Sequence, residues 1–155
     1  MDIFQGLSPE IRTFIMAMMP VIELRGAIPY GVSQGLSHLS AYIISVIGST
    51  APVPLIILFF RPITSLLVKN KYFSKFVKFV VDKTLREQSK IKKFGLFGLF
   101  VVVAIPLPGT GAYTGSFLSS LLKFRIAYAL PIIALGNAAA GLLVLALTYG
   151  IGQVF

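Results

Sequence analysis

Three stretches of this chain contain no Asp, Glu, Lys or Arg: residues 26–60, 94–122 and 126–155. Each is longer than the roughly 20 residues a helix needs to cross the ~30 Å hydrocarbon core of a bilayer. No other feature limits the fold so strongly. Backbone in lipid must satisfy its own N–H and C=O groups, and a helix does so within one segment. The chain is 56% hydrophobic and 12% charged over 155 residues, where a soluble domain carries roughly 25% charged residues. An all-α integral membrane protein follows.

Proline and glycine divide these stretches. Pro106-Leu-Pro-Gly-Thr-Gly111 holds two prolines and two glycines, and helix cannot continue through it. It leaves residues 94–105 and 112–122 as arms that cover about half a membrane each at ~1.5 Å per residue. Two such arms make a re-entrant helical hairpin, which enters and leaves on one side. The first half is expected to do the same, with arms Thr13–Ile22 and Ala27–Leu36 around a turn at Glu23–Gly26. Pro29 then falls early in the second arm, where a first helical turn tolerates it. Ala41–Phe60 and Ile126–Gly150 remain as full transmembrane helices, expected to kink at Pro52, Pro54 and Pro131. Gly136, Ala140 and Gly141 offer a small-residue face for close helix packing.

The expected organisation is one membrane domain, 1–155: repeat 1 over about 13–60, a linker 61–93, and repeat 2 over about 94–155. Ala41-Tyr42 is echoed by Ala127-Tyr128, and Ile47-Gly-Ser-Thr-Ala51 by Leu135-Gly-Asn-Ala-Ala139, with two residues inserted between the echoes. A hairpin crosses the membrane zero times and a span once, so the second repeat must be inverted relative to the first. The linker and the Lys123-Phe-Arg125 turn then share a side. Twelve of the fourteen basic residues lie in those two places, which makes that side cytoplasmic and turns both termini outward. Within the linker, Phe73, Phe76, Val77 and Val80 recur at helical spacing opposite Lys71, Lys75, Lys78 and Asp82. This pattern fits an amphipathic helix on anionic headgroups or a solvated basic loop. The same basic excess in so apolar a chain is assigned to lipid rather than nucleic acid.

Two segments carry chemistry. Glu23 and Arg25 lie in otherwise apolar sequence, and charges at membrane depth are costly and usually functional. Residues two apart do not face each other on a regular helix, but in a turn they can converge. Arg25 presents a fixed fork of donors suited to phosphate or carboxylate. Glu23 can take or release a proton as an anion competes for that arginine. The alternative is a buried ion pair that only fixes the turn. In the second segment, Gly109 and Gly111 allow close backbone approach, and Ala112 is expected to open a half-helix with its free N–H groups toward mid-membrane. Thr110, Thr114 and Ser116 add hydroxyls and Tyr113 an aromatic edge; the tip either contacts a ligand or packs on the other repeat. Asn137 lines a cavity or bridges helices, with Ser49 as its counterpart, and His38 reads as an interfacial residue. The full set of candidate substrate- or proton-binding residues is Glu23, Arg25, Gly26, Pro29, Pro106, Pro108, Gly109, Thr110, Gly111, Tyr113, Thr114 and Asn137. With no cysteine, one histidine and five acids, a metal centre or cofactor is not expected. Neither is an enzyme, since no nucleophile–base pair is evident.

Glu23-Leu-Arg-Gly-Ala-Ile-Pro29 and Pro106-Leu-Pro-Gly-Thr-Gly-Ala-Tyr-Thr-Gly115 resemble the two signature segments of the small multi-drug export protein family, over essentially the whole chain. More distantly, paired re-entrant hairpins are similar to the DedA/VTT superfamily. That likeness implies lipid transport or scrambling in a bacterial inner membrane, including recycling of polyprenyl phosphate carriers, with Glu23 and Arg25 matching its acidic and basic membrane residues. One departure stands out: DedA-like second hairpins carry arginines around their Pro-Gly, whereas Pro108-Gly109 here is flanked by Ile105, Leu107, Thr110 and Gly111. A phosphate at this tip would meet backbone amides and hydroxyls instead. The leading expectation is a transporter or flippase for an amphiphile with an anionic head, proton-coupled through Glu23 and Arg25. The alternatives are an exporter of cationic drugs and a non-transporting membrane scaffold. Two spans and two hairpins bury little surface, so a homodimer is expected.

Overall fold

A computed structural model describes residues 6–67, 95–106 and 110–150, and every regular element among them is helical. The chain forms α1 (Pro9–Met18), α2 (Glu23–Ser33), α3 (His38–Thr50), α4 (Val53–Leu67), α5 (Gly95–Ala104), α6 (Ala112–Leu121) and α7 (Ile126–Tyr149). The expected amphipathic helix around Phe73–Val80 lies outside the described residues. Two apolar helical spans, His38–Phe60 and Ile126–Tyr149, are long enough to cross a membrane. Their outer faces are apolar: Leu39, Ile47, Leu58, Leu135 and Leu142 are exposed, and Leu147 is 80% exposed.

Local chemistry sets the helix ends, and in the first hairpin it corrects the expected register. The turn lies at 19–22, not at Glu23–Gly26, so Glu23, Arg25 and Gly26 occupy the opening of α2. Pro20 is the cause. The residue before a proline is driven out of the helical region, and Met19 is extended at φ −76°, ψ 132°. α1 also begins earlier than Thr13, with Pro9 at its first turn. Pro29 is interior to α2 rather than in its first turn. It removes one ladder bond, and α2 persists because α1, α3 and α7 all pack on it. The first span breaks at Ala51-Pro52 into α3 and α4, and α4 runs on past Phe60 to Leu67, into the region expected as linker. Pro131 sits inside α7 without ending it.

The ends of α2 and α6 and the starts of α3 and α7 recur at one interval. Glu23 and Gly111 stand at the openings of α2 and α6, 88 positions apart, both at positive φ (47° and 140°). Gly35 and Lys123 close those helices, again 88 apart and both at positive φ. Each closure is a Schellman turn: Leu36 N–H reaches Gly31 O at 3.1 Å, and Phe124 N–H reaches Ser119 O at 2.9 Å. His38 and Ile126 then open the spans at the same interval. The helices therefore set Ala41 opposite Ala129, both fully buried, and not opposite Ala127 as the echoed Ala-Tyr pair implied. The Gly48/Gly136 echo does hold in three dimensions. A Cβ on Gly48 would meet Phe14 O at 2.8 Å and Ala17 Cβ at 2.9 Å, while one on Gly136 would meet Phe100 O at 3.3 Å and Val103 Cβ at 2.7 Å. Each span lies flush against the backbone of its own hairpin's first arm.

The spans α3 and α7 run antiparallel. His38 meets Tyr149 edge-on at 4.6 Å, Tyr42 donates to Ala138 O at 3.1 Å, and Asn137 Nδ2 donates to Ser49 Oγ at 3.1 Å and Thr50 Oγ1 at 3.0 Å. Two cores flank this crossing. Val53 and Ile57 of α4 pack with Leu99 and Val103 of α5, Ala112 and Leu118 of α6, and Ala129 and Ile133 of α7. Leu24 and Ile28 of α2 pack with Ala140, Val144 and Leu145 of α7. The first half of each span thus holds its own hairpin and the second half holds the other's. Burying a leucine- or isoleucine-sized side chain in close-packed surroundings matters here through contact density, since lipid is as apolar as the core.

Candidate functional site

The two hairpin tips meet. Glu23 is 6% exposed, and its carboxylate lies directly against the backbone of Gly111: a Cβ there would fall 2.3 Å from Oε2 and 2.9 Å from Oε1. The Tyr113 backbone N–H donates to the same carboxylate. Helix N-termini carry free N–H groups and a positive dipole end, and α6 has one of its own chain's carboxylates there. Gly111 is required twice over, by its φ of 140° and by the absence of a side chain. The left-handed conformation of Glu23 is uncommon for a residue with a Cβ. It turns the side chain from the end of the 19–22 turn toward the second hairpin.

Arg25 is the partner in this arrangement. Its Nη2 donates to Thr110 Oγ1 at 3.1 Å, and that hydroxyl donates onward to Ile105 O at 2.8 Å. The charges of Glu23 and Arg25 act on each other. Tyr113 OH donates to Met18 O in a short contact, so the second tip also grips the end of α1. Pro20, Val21, Glu23, Arg25, Thr110, Tyr113 and Thr114 enclose a small open cleft of about 70 Å³. That admits a few waters or a small polar group, since a single water needs roughly 10–15 Å³ on this measure.

Of the sequence-predicted residues, Glu23, Arg25, Thr110, Gly111, Tyr113 and Thr114 come together at this cleft. Gly26 does not face it; a Cβ there would meet the Ile22 side chain at 2.6 Å. Pro29 lies further along α2. Pro106 stands just past α5, and Pro108 and Gly109 lie outside the described residues. Asn137 is 1% exposed and bridges α7 to α3. The sequence reading missed the Met18 and Ile105 carbonyls and the apolar lip formed by Pro20 and Val21. The carbonyls are backbone groups, which no residue type announces. Val21 is 93% exposed beside the buried Glu23, an exposure that nothing in its local sequence marks.

Two helices are long and apolar enough to cross a membrane, and the buried Glu23 carboxylate and half-buried Arg25 guanidinium lie where two pairs of shorter helices meet. The chain belongs to the family described as "Putative small multi-drug export protein", which it matches over residues 23–143. No curated protein and no solved structure matches it.

Proposed function

We propose that this protein is an inverted-repeat transporter that moves an amphiphile with an anionic headgroup, such as a polyprenyl phosphate or a phospholipid, through the cleft between its two hairpin tips. One observation carries the reading: Arg25, Thr110, Tyr113 and the Glu23 carboxylate converge on a single polar cleft from two half-length helical hairpins. The inverted repeat rests on the 88-residue correspondence, the antiparallel spans and the reciprocal cores. Asn137 and Ser49 are themselves 88 apart and hydrogen-bonded, so the internal two-fold axis passes through that bond. The re-entrant character rests on arm lengths of ten and eleven residues, about half of a ~30 Å core.

Coupling follows from who occupies the anion position. Glu23 supplies a carboxylate to the opening of α6 and to the neighbourhood of Arg25. An incoming phosphate competes for the same donors, and protonation of Glu23 releases them. The proton and the anion therefore exchange at one place. In proteoliposomes, Glu23→Gln is expected to abolish the pH dependence of polyprenyl phosphate movement, and Arg25→Lys to lower its rate at least tenfold through loss of the two-pronged donor. If both variants fold and transport normally, the reading is wrong.

A second reading has its own observation, the family description, which points to export of small drugs. A cationic drug needs an available carboxylate, and Glu23 is instead buried against Gly111 and the Tyr113 N–H. Movement of a cationic dye without movement of a polyprenyl phosphate would favour this second reading.

A further inference from the structure

One turn along α6 from the residues that line the polar cleft, the helix lines an apolar groove. Leu55, Ile56, Phe59 and Phe60 of α4 and Phe117 of α6 line a second groove, about 290 Å³ in volume, whose lining presents no polar surface. Phe60 and Phe117 form its floor, with ring centroids 4.4 Å apart. Its rim is open, Leu55 being 58% and Phe59 57% exposed. α6 connects the two spaces. Tyr113 and Thr114 line the polar cleft, and Phe117 lies three and four positions on, which puts it on the same helical face. The axial step from Thr114 to Phe117 is only about 4.5 Å. Residues on one face of α6 thus pass from hydroxyl-bearing to aromatic within a single turn.

We propose that this α4/α6 groove binds the hydrocarbon tail of the amphiphile whose anionic head enters the cleft. The inference rests on the function proposed above and adds a tail site to it. The arrangement assigns the substrate class more narrowly: an anionic head joined directly to a flexible chain long enough to reach from Thr114 past Phe117. Van der Waals contact with the paired rings, rather than escape from water, supplies the preference, because the competing environment is lipid. A bilayer lipid resting on an ordinary outer face is the competing occupant.

The two occupants differ in what they make of chain length. In phosphatidylcholine nanodiscs, the binding of geranyl, farnesyl and geranylgeranyl phosphate would be compared at equal mole fraction in the bilayer. Phe117→Ser is expected to weaken geranylgeranyl phosphate by about fivefold to tenfold, the scale of losing contact with an aromatic ring, and to leave geranyl phosphate nearly unchanged. Leu55→Trp fills the same groove from an exposed position where folding is not at stake, and should reproduce the pattern. Leu143→Trp, at a 45% exposed site on α7, should have no effect. A loss that is equal at every chain length, or absent, overturns the tail site and assigns the groove to bilayer lipid. If none of the three phosphates binds the wild-type protein, the anionic-head reading itself fails. Binding of all three with no response to Phe117 or Leu55 defeats only the tail site.

Discussion

The two hairpins share a backbone plan and divide the chemistry between them. In the first, a four-residue turn at 19–22 leads into a helix that carries Glu23 and Arg25. In the second, the equivalent of Glu23 is Gly111 and the equivalent of Arg25 is Tyr113, 88 positions on. One tip brings charge, and the other brings backbone N–H, hydroxyls and empty space. Two charged tips would set like charges against each other near the internal axis. Two glycine tips would have nothing to bind with. The difference teaches that symmetry in this fold extends to helix ends and packing, and stops at the site, where complementarity replaces it.

The comparison is most easily broken at Gly111. Gly111→Ala sets a methyl 2.3 Å from Glu23 Oε2 on a backbone at φ 140°. We expect about 2–4 kcal/mol of lost stability, combining overpacking with strain, read as a lowered thermal midpoint in detergent and loss of transport. The double variant Glu23→Ala/Gly111→Ala should recover part of that stability, because the clash has lost one partner. Purely additive losses would mean that the tips do not meet. Next in size is the matched pair Gly48→Ala and Gly136→Ala. Each should cost about 1–3 kcal/mol. The two losses should be of similar size, since Ala17 Cβ at 2.9 Å and Val103 Cβ at 2.7 Å are both fixed to their backbones and no rotamer change moves them.

Asn137→Ala should cost about 1–2 kcal/mol by removing two hydrogen bonds across the spans. Headgroup affinity should stay within roughly twofold, the range of a residue that does not touch the ligand. A selective loss of affinity would instead move Asn137 into the site. The smallest effect belongs to the lipid-facing surface. Leu147→Ala, at 80% exposure, should change stability by less than about 0.5 kcal/mol, because neither state buries that side chain in protein.

How far the chain could be read depended on whether a feature is local. The break at Pro106–Gly111 was legible because proline and glycine act on their own backbone, and α5 and α6 end within a residue of the expected limits. The first turn lies four residues before the expected Glu23–Gly26, because Pro20 breaks the helix and Gly26 does not. Gly26 sits on Ile22 inside a helix and breaks nothing. With the turn at Glu23–Gly26, Pro29 was expected near a helix start. Propensity argued against a helix through it, and packing by three neighbours overruled propensity. The echo of Gly48 in Gly136 marks two equally tight helix contacts, where close packing demands a specific residue, whereas the Ala41-Tyr42 echo was misleading, because identity carried no constraint there.

The chain by itself determined that it forms apolar helices of membrane-spanning length, that the second hairpin breaks between α5 and α6, and that one carboxylate and one guanidinium lie among them. These depend on solvation and on backbone sterics, both of which act residue by residue. Only the tertiary structure decided that Glu23 meets Gly111 and the Tyr113 N–H, that each span holds the other's hairpin, and that Phe60 and Phe117 stack in one apolar groove. Those contacts join residues far apart in the chain, and no local preference specifies them. They arise because half-length helices cannot bury their polar tips in lipid alone and so bury them against each other.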